Sequence, residues 1–258
     1  MEGIPPWLLP WTLAALMIWP LVLVERWIHK HIQGLGLLLT NNPKAAVLIY
    51  YLVLFPGVAL HEASQWVLAQ LLRVKVKKFR VWPEQQRGGV IQLGLVEIQS
   101  GTDAIRATLI GMIPLITGVA AIAWIASAYF DTGVLLTSLA TGDLPEIFRG
   151  FGVFMSAPDF WLWMYLVFTI ANAMLPEAHD RINWWLLVGV FAGLLIFLWV
   201  LDLNVLIRAL LEGPLARIGG WLSLALSLAL GIDLLMMALI AFSEWLFSRL
   251  LDREIEYK

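Results

Sequence analysis

Six apolar windows of about 20 residues leave this chain few ways to fold. They lie at roughly 7–24, 44–72, 104–128, 159–176, 184–201 and 221–247. Inside a bilayer there is no water to bond the backbone, so such windows become helices that satisfy their own amides. The rest of the composition agrees. Hydrophobic residues make up 60% of the 258 positions and charged residues 14%, with a mean hydropathy of +0.82. A soluble domain carries about 25% charge. The expected fold is therefore an all-α polytopic membrane protein with about six transmembrane helices. The first window has neither a basic flank nor an Ala-x-Ala cleavage site, so it is expected to be retained as a helix. Pro10 and Pro20 should bend or limit it. Segments 132–155 and 203–217 are apolar but punctuated by Gly and Pro, and are expected to lie at the interface or re-enter the membrane. Trp7, Trp27, Trp161, Trp184, Trp185, Trp221 and Trp245 fall near span ends, which fits an aromatic belt.

Charge sets the expected orientation. If six spans alternate, most of the 17 Lys and Arg fall on one side, including Arg73, Lys75, Lys77, Lys78, Arg80 and Arg87. The positive-inside rule makes that side cytoplasmic and puts both termini there, in a membrane of the bacterial plasma-membrane type. The cluster from Lys75 to Arg80 reads as an orientation signal that also touches anionic membrane lipids. Between the second and third windows the apolar period shortens. Val74-Lys75-Val76-Lys77 and Gln92-Leu93-Gly94-Leu95 alternate on either side of a turn-rich stretch from Pro83 to Gly89. Residues 74–98 are therefore expected to form a small cytoplasmic, membrane-associated β-hairpin. Its exposed edge could accept an extended peptide. A net charge of −2 argues against nucleic-acid partners, and the lack of cysteine excludes disulfides, thiolate metal sites and a cysteine nucleophile.

Polar side chains inside an apolar window are costly and therefore informative. The second window contains His61-Glu62-Ala63-Ser64-Gln65. It begins like the zinc-protease helix signature His-Glu-x-x-His, in which two imidazoles four residues apart share a helix face and the glutamate acts as general base. Here the second imidazole is an amide. A structural alternative stands beside the metal site: Glu62 pairs with a cation or stays protonated, and Gln65 bonds a neighbouring helix. A second constellation runs from Asn172 through Pro176 to His179, Asp180 and Arg181. Pro176 should end or kink its helix and free backbone carbonyls. His179 and Asp180 are both of ligand type. Asp180 also has an ordinary reading, as a helix cap or as a partner of Arg181.

Together these segments resemble the site-2 protease family of intramembrane zinc metalloproteases, over roughly residues 50–185. His61-Glu62 opens the likeness. Ala69-Gln70-Leu71-Leu72-Arg73-Val74-Lys75-Val76 resembles the family's helix exit into its β region, Gly88-Gly89 falls where the family has glycines, and Gly111-Met112-Ile113-Pro114 is similar to the start of its next helix. Asn172 to Asp180 has the spacing of the family's Asn…Asp motif. The resemblance implies His61 and Asp180 as zinc ligands and Glu62 as the base. It divides the chain into an N-terminal helix and amphipathic connector (1–43), a protease-like core (44–185) and C-terminal helices with a short charged tail (186–258). The departures are as telling. Gln65 replaces the second histidine, Arg181 replaces the glycine after the aspartate, Arg73 replaces a glycine in the helix exit, and the proline after Asn172 stands one place late.

Three functions follow as expectations. The first is a non-proteolytic or weakly active relative with zinc binding weak or absent, which binds transmembrane helices of partner proteins or serves as a subunit of a membrane complex. The second is an active intramembrane protease in which His179 supplies the missing ligand. The third is an ion-coupled membrane protein using Glu62. The first is adopted, because a site that loses one of three protein ligands usually holds its metal too weakly.

Overall fold

A computed structural model describes residues 5–85, 91–92, 94–99, 101–176 and 182–253. The first window extends into one continuous helix, α1 (Leu9–Thr40), which includes the stretch expected to be a connector. Pro10 sits in its first turn, where no backbone hydrogen bond is lost, and Pro20 lies inside without ending it. An Asn41-Asn42-Pro43 turn follows. Asn41 takes the left-handed conformation, and the Asn42 side chain accepts from Lys44 N–H to cap α2 (Pro43–Leu71). Helix α3 (Ala104–Tyr129) starts on an Asp103 cap. The segment expected at the interface forms two short helices, α4 (Thr132–Thr141) and α5 (Leu144–Met155). α5 meets α6 (Phe160–Met174) at a bend of 91°. After α7 (Trp184–Val200) come α8 (Asn204–Leu210), a π-helical turn (Leu211–Leu215) and α9 (Ala216–Leu251).

Among the described residues, four helices are long and apolar enough to cross a membrane: α1, α2, α3 and the continuous run from α8 through α9. The bent α5–α6 pair makes a fifth if it counts as one span. This is compatible with an integral membrane protein, at a lower count than the six windows suggest. The helix directions explain part of the difference. Gly219 lies against Trp11, and Glu244 bonds His31, so α1 and α9 run parallel. Six spans with both termini on one side would make that pair antiparallel. Gly36 against Ala46 and His29 against Tyr50 show that α2 runs the other way. The end of α2 therefore lies at the same end of the bundle as the start of α1. α7 is apolar throughout but keeps most of its surface exposed.

The core lies among α1, α2, α3, α6 and α9. Ala14, Leu21 and Ile28 recur every seventh residue along α1 and are buried with Leu226, Ala229 and Ile232 of α9 and Leu54, Val167 and Phe168 of α2 and α6. At Gly57, α2 comes so close to α6 that a Cβ there would overlap the carbonyl of Thr169. Only glycine lets the two backbones approach this closely.

The region between α2 and α3 is β structure, as the alternation predicts. β1 (Val76–Arg80) pairs antiparallel with β4 (Leu95–Ile98), with an irregularity between Val76 and Lys78. Inside that ladder a two-residue pair forms between β2 (Glu84–Gln85) and β3 (Ile91–Gln92). Lys78 stands opposite Glu97. Val96 and Ile98 face inward and form a second small core with Ala69 of α2 and Ala107 and Ile110 of α3. Gly88 and Gly89 lie outside the described residues.

Candidate functional site

The site begins with the way α6 ends. Pro176 has no N–H, and its ring disfavours helical backbone at the residue before it. Leu175 is accordingly extended (φ −70°, ψ 142°), and α6 stops at Met174. The carbonyl of Asn172 would have been the partner of the N–H at 176, so the helix leaves it without a donor. Two histidines from other helices collect the freed carbonyls. His29 Nε2 of α1 donates to Asn172 O at 3.2 Å, and His61 Nδ1 of α2 donates to Ala173 O at 2.6 Å.

A carbonyl oxygen can only accept, so each bond fixes a tautomer. His61 carries its proton on Nδ1 and directs the lone pair of Nε2 into the interior. This is the arrangement that a metal-ligating histidine uses, with the second ring nitrogen held by a backbone carbonyl. The lone pair is not left open. Gln65, one turn along α2, places its side-chain Nε2 3.2 Å from His61 Nε2 and donates to it. The opposite amide orientation would set an oxygen lone pair against a nitrogen lone pair. The i, i+4 spacing thus brings positions 61 and 65 together as expected, and it brings them together as a donor and an acceptor. His61, Glu62 and Gln65 are 4%, 2% and 2% exposed.

Glu62 turns to another neighbour. The chain enters β4 through Gly94, and a Cβ at Gly94 would overlap the carboxyl group of Glu62. The β region therefore does more than leave the helix bundle. It returns a bare stretch of backbone onto the acid of the His-Glu pair.

Zinc is the metal that the family resemblance implies. The donors at this position among the described residues are one imidazole nitrogen, already accepting from an amide, and the amide itself. An amide N–H cannot ligate a cation, and a turned amide would offer one weak neutral oxygen. Among the described residues these donors do not by themselves make up a zinc ligand set. His179, Asp180 and Arg181 lie outside the described residues, and so does the expected convergence of Asp180 on His61. Among the described residues no group of three or more His, Cys, Asp or Glu is placed to hold a metal.

The second polar group belongs to Asn172. Its side-chain nitrogen donates to Phe168 O at 2.9 Å and to Asp233 Oδ1 of α9 at 2.8 Å. His29, which holds Asn172 O, is itself approached through Nδ1 by the Tyr50 hydroxyl at 3.1 Å. Asn172 is thus the joint between α6, α1 and α9. Sequence reasoning singled out Asn172 and Pro176 but missed Asp233, His29 and Tyr50. An acidic residue in the middle of the window at 221–247 was the available signal for Asp233.

Compared with protein-family models, with curated proteins and with solved structures, the chain matches none.

Proposed function

We propose that this chain is a non-proteolytic, membrane-embedded relative of the site-2 proteases. In this role it binds transmembrane segments of partner proteins, or serves as a subunit of a membrane complex, with zinc binding weak or absent. One observation carries the reading: the Gln65 amide donates to His61 Nε2, the nitrogen that a zinc ion would need. The chemistry of a metalloprotease requires an open metal position and a polarised water. A His–Gln bond supplies neither. The scaffold elements remain useful without chemistry. Gly94 brings backbone beside Glu62, and a small sheet lies where the bundle ends, which suits recognition of an extended or partly unwound segment.

The charge pattern supports an orientation with the β region and the start of α1 on the cytoplasmic side of a bacterial-type plasma membrane. The parallel course of α1 and α9 then sends the end of α9 to the opposite side. With no cysteine in the chain, single replacements Lys77→Cys and Arg253→Cys test this directly. Labelling of both from the same face would sink it.

Metal analysis of the purified full chain tests the functional reading. The expected result is substoichiometric zinc and no cleavage of transmembrane helices. One zinc per chain that survives dialysis and is lost on His179→Ala would replace this reading with the rearranged protease.

A further inference from the structure

Asp233 stands mid-way along α9, wholly buried, in the apolar cluster that contains Ala229, Ile232 and Phe168. Its Oδ1 accepts from Asn172. Its Oδ2 has no hydrogen-bond partner among the described residues, and neither does Oδ1 of Asn172, a residue only 3% exposed. Two orphaned acceptors therefore belong to two side chains already bonded to each other. Both N–H groups of the Asn172 amide are committed, to Phe168 O and to Asp233, so the pair cannot repair itself by rotation. A buried acceptor left unsatisfied costs about 1–3 kcal/mol, and more when it is charged. An ionised carboxylate in this setting would be the more expensive form.

The facing groups add to the demand for positive charge. α1 brings Glu25, within electrostatic reach of Asp233, and His29, whose donor is already spent on Asn172 O. α6 brings Asn172. α3 brings no titratable group to this level, since Arg106 is at its start and Tyr129 at its last turn. Among the described residues Asp233 forms no ion pair with a cation.

We propose that the Asp233–Asn172 pair is a proton-binding site, with the proton on Asp233 Oδ2. One proton turns one orphaned acceptor into a donor and removes the charge. It makes Asp233 a neutral partner for an amide that offers both a donor and an acceptor. An alkali or divalent ion fits poorly, because such ions collect about six oxygens and this pair offers two among apolar neighbours. The site binds a proton and transfers no electrons. Deprotonation returns the proton to water and leaves a carboxylate beside Glu25. Because Asn172 adjoins Ala173, whose carbonyl holds His61, proton occupancy at α9 is linked through one residue to the His61 end of α6. This inference does not depend on zinc: Asn172 belongs to the Asn…Asp motif, but neither Asp233 nor Asn172 is among the ligands that the resemblance implies.

Infrared spectra of the full chain in a detergent free of ester carbonyls test it. At neutral pH the wild type should show a protonated-carboxyl band that shifts in deuterium oxide. Asp233→Asn should abolish that band and Glu25→Gln should keep it. An amide resembles a protonated acid, so Asp233→Asn should unfold within a few degrees of wild type while Asp233→Ala unfolds well below. A wild type without the band would overturn the proposal, as would loss of the band in Glu25→Gln alone. Destabilisation by Asp233→Asn as large as that by Asp233→Ala would overturn it too, since it would mean that the charge is needed.

Discussion

Ala173 and Asn172 are neighbours on α6, yet they serve polar clusters of opposite kinds. The cluster at Ala173 carries the sequence signature: His61 and Gln65 on one face of α2, with Glu62 beside them. In it the two ring nitrogens of His61 are both engaged, one by a carbonyl and one by an amide. The cluster at Asn172 shares only its asparagine with the Asn…Asp motif, and among the described residues its Asp233 Oδ2 and Asn172 Oδ1 are buried acceptors without donors. The motif marks where the resemblance would place a metal. The buried acceptors at Asp233 and Asn172 mark the proton site proposed above. In this chain the two marks fall on adjacent residues and point to different helices.

Both clusters depend on α2 and α6 lying backbone to backbone, which gives the largest expected effect. Gly57→Leu forces a side chain into the Thr169 carbonyl, with no flexible group to move aside. Overpacking of this kind typically costs about 1–3 kcal/mol and occasionally more; against a backbone wall we expect about 3 kcal/mol or above. Thermal unfolding in detergent would show it. A variant within a degree or two of wild type would mean that α2 and α6 are not in contact at Gly57, and the comparison of the two clusters would lose its common frame.

Next in size is the joint itself. Asn172→Ala removes the donor to Asp233 Oδ1 and the donor to Phe168 O, for an expected loss of about 1–3 kcal/mol. Asp233→Ala should cost a comparable amount. Because the two side chains share a bond, the double variant should cost less than the sum, by roughly 0.5–3 kcal/mol. Strict additivity would separate the pair and leave Asp233 as an isolated buried acid.

The contrast also shows what was legible in the sequence and what was not. The windows at 44–72 and 104–128 became α2 and α3 because long apolar runs have few alternatives in lipid. Pro176 was readable as a helix end because its effects are local: a missing N–H and a disfavoured helical residue before it. The alternation at Val76 and Leu95 was readable as strands for the same reason. What could not be read was direction and partnership. The parallel pairing of α1 with α9 is set by contacts such as Trp11 with Gly219, more than 200 residues apart along the chain, and no window encodes them. Likewise His29 is an ordinary histidine in the sequence. Its role exists only because the end of α6 lies against it.

The motif cluster can be reopened. Gln65→His replaces the amide donor with an imidazole of similar size, at a packing cost of order 1 kcal/mol. If the cluster is closed only by the Gln65 bond, the variant should take up zinc and lose it again on His61→Ala. Failure to gain zinc would show that the remaining geometry is also closed, and His61 with Glu62 would then be a structural polar pair.

The smallest expected effect lies at the end of α2, and it has the opposite sign. Arg73 adopts the left-handed conformation (φ +56°), and Val74 N–H reaches back to Ala69 O at 2.8 Å in a helix-ending turn of the Schellman type. A residue with a Cβ pays roughly 1–2 kcal/mol to stand there, while glycine stands there freely but is looser in the unfolded chain. Arg73→Gly should therefore stabilise the protein by a net of about 0.5–1 kcal/mol, seen as a higher unfolding temperature. Arg73 is exposed and belongs to neither cluster, so the variant should leave both the zinc content and the protonated-carboxyl band as they are. A drop in stability would show that the Arg73 side chain makes a contact worth more than the backbone strain.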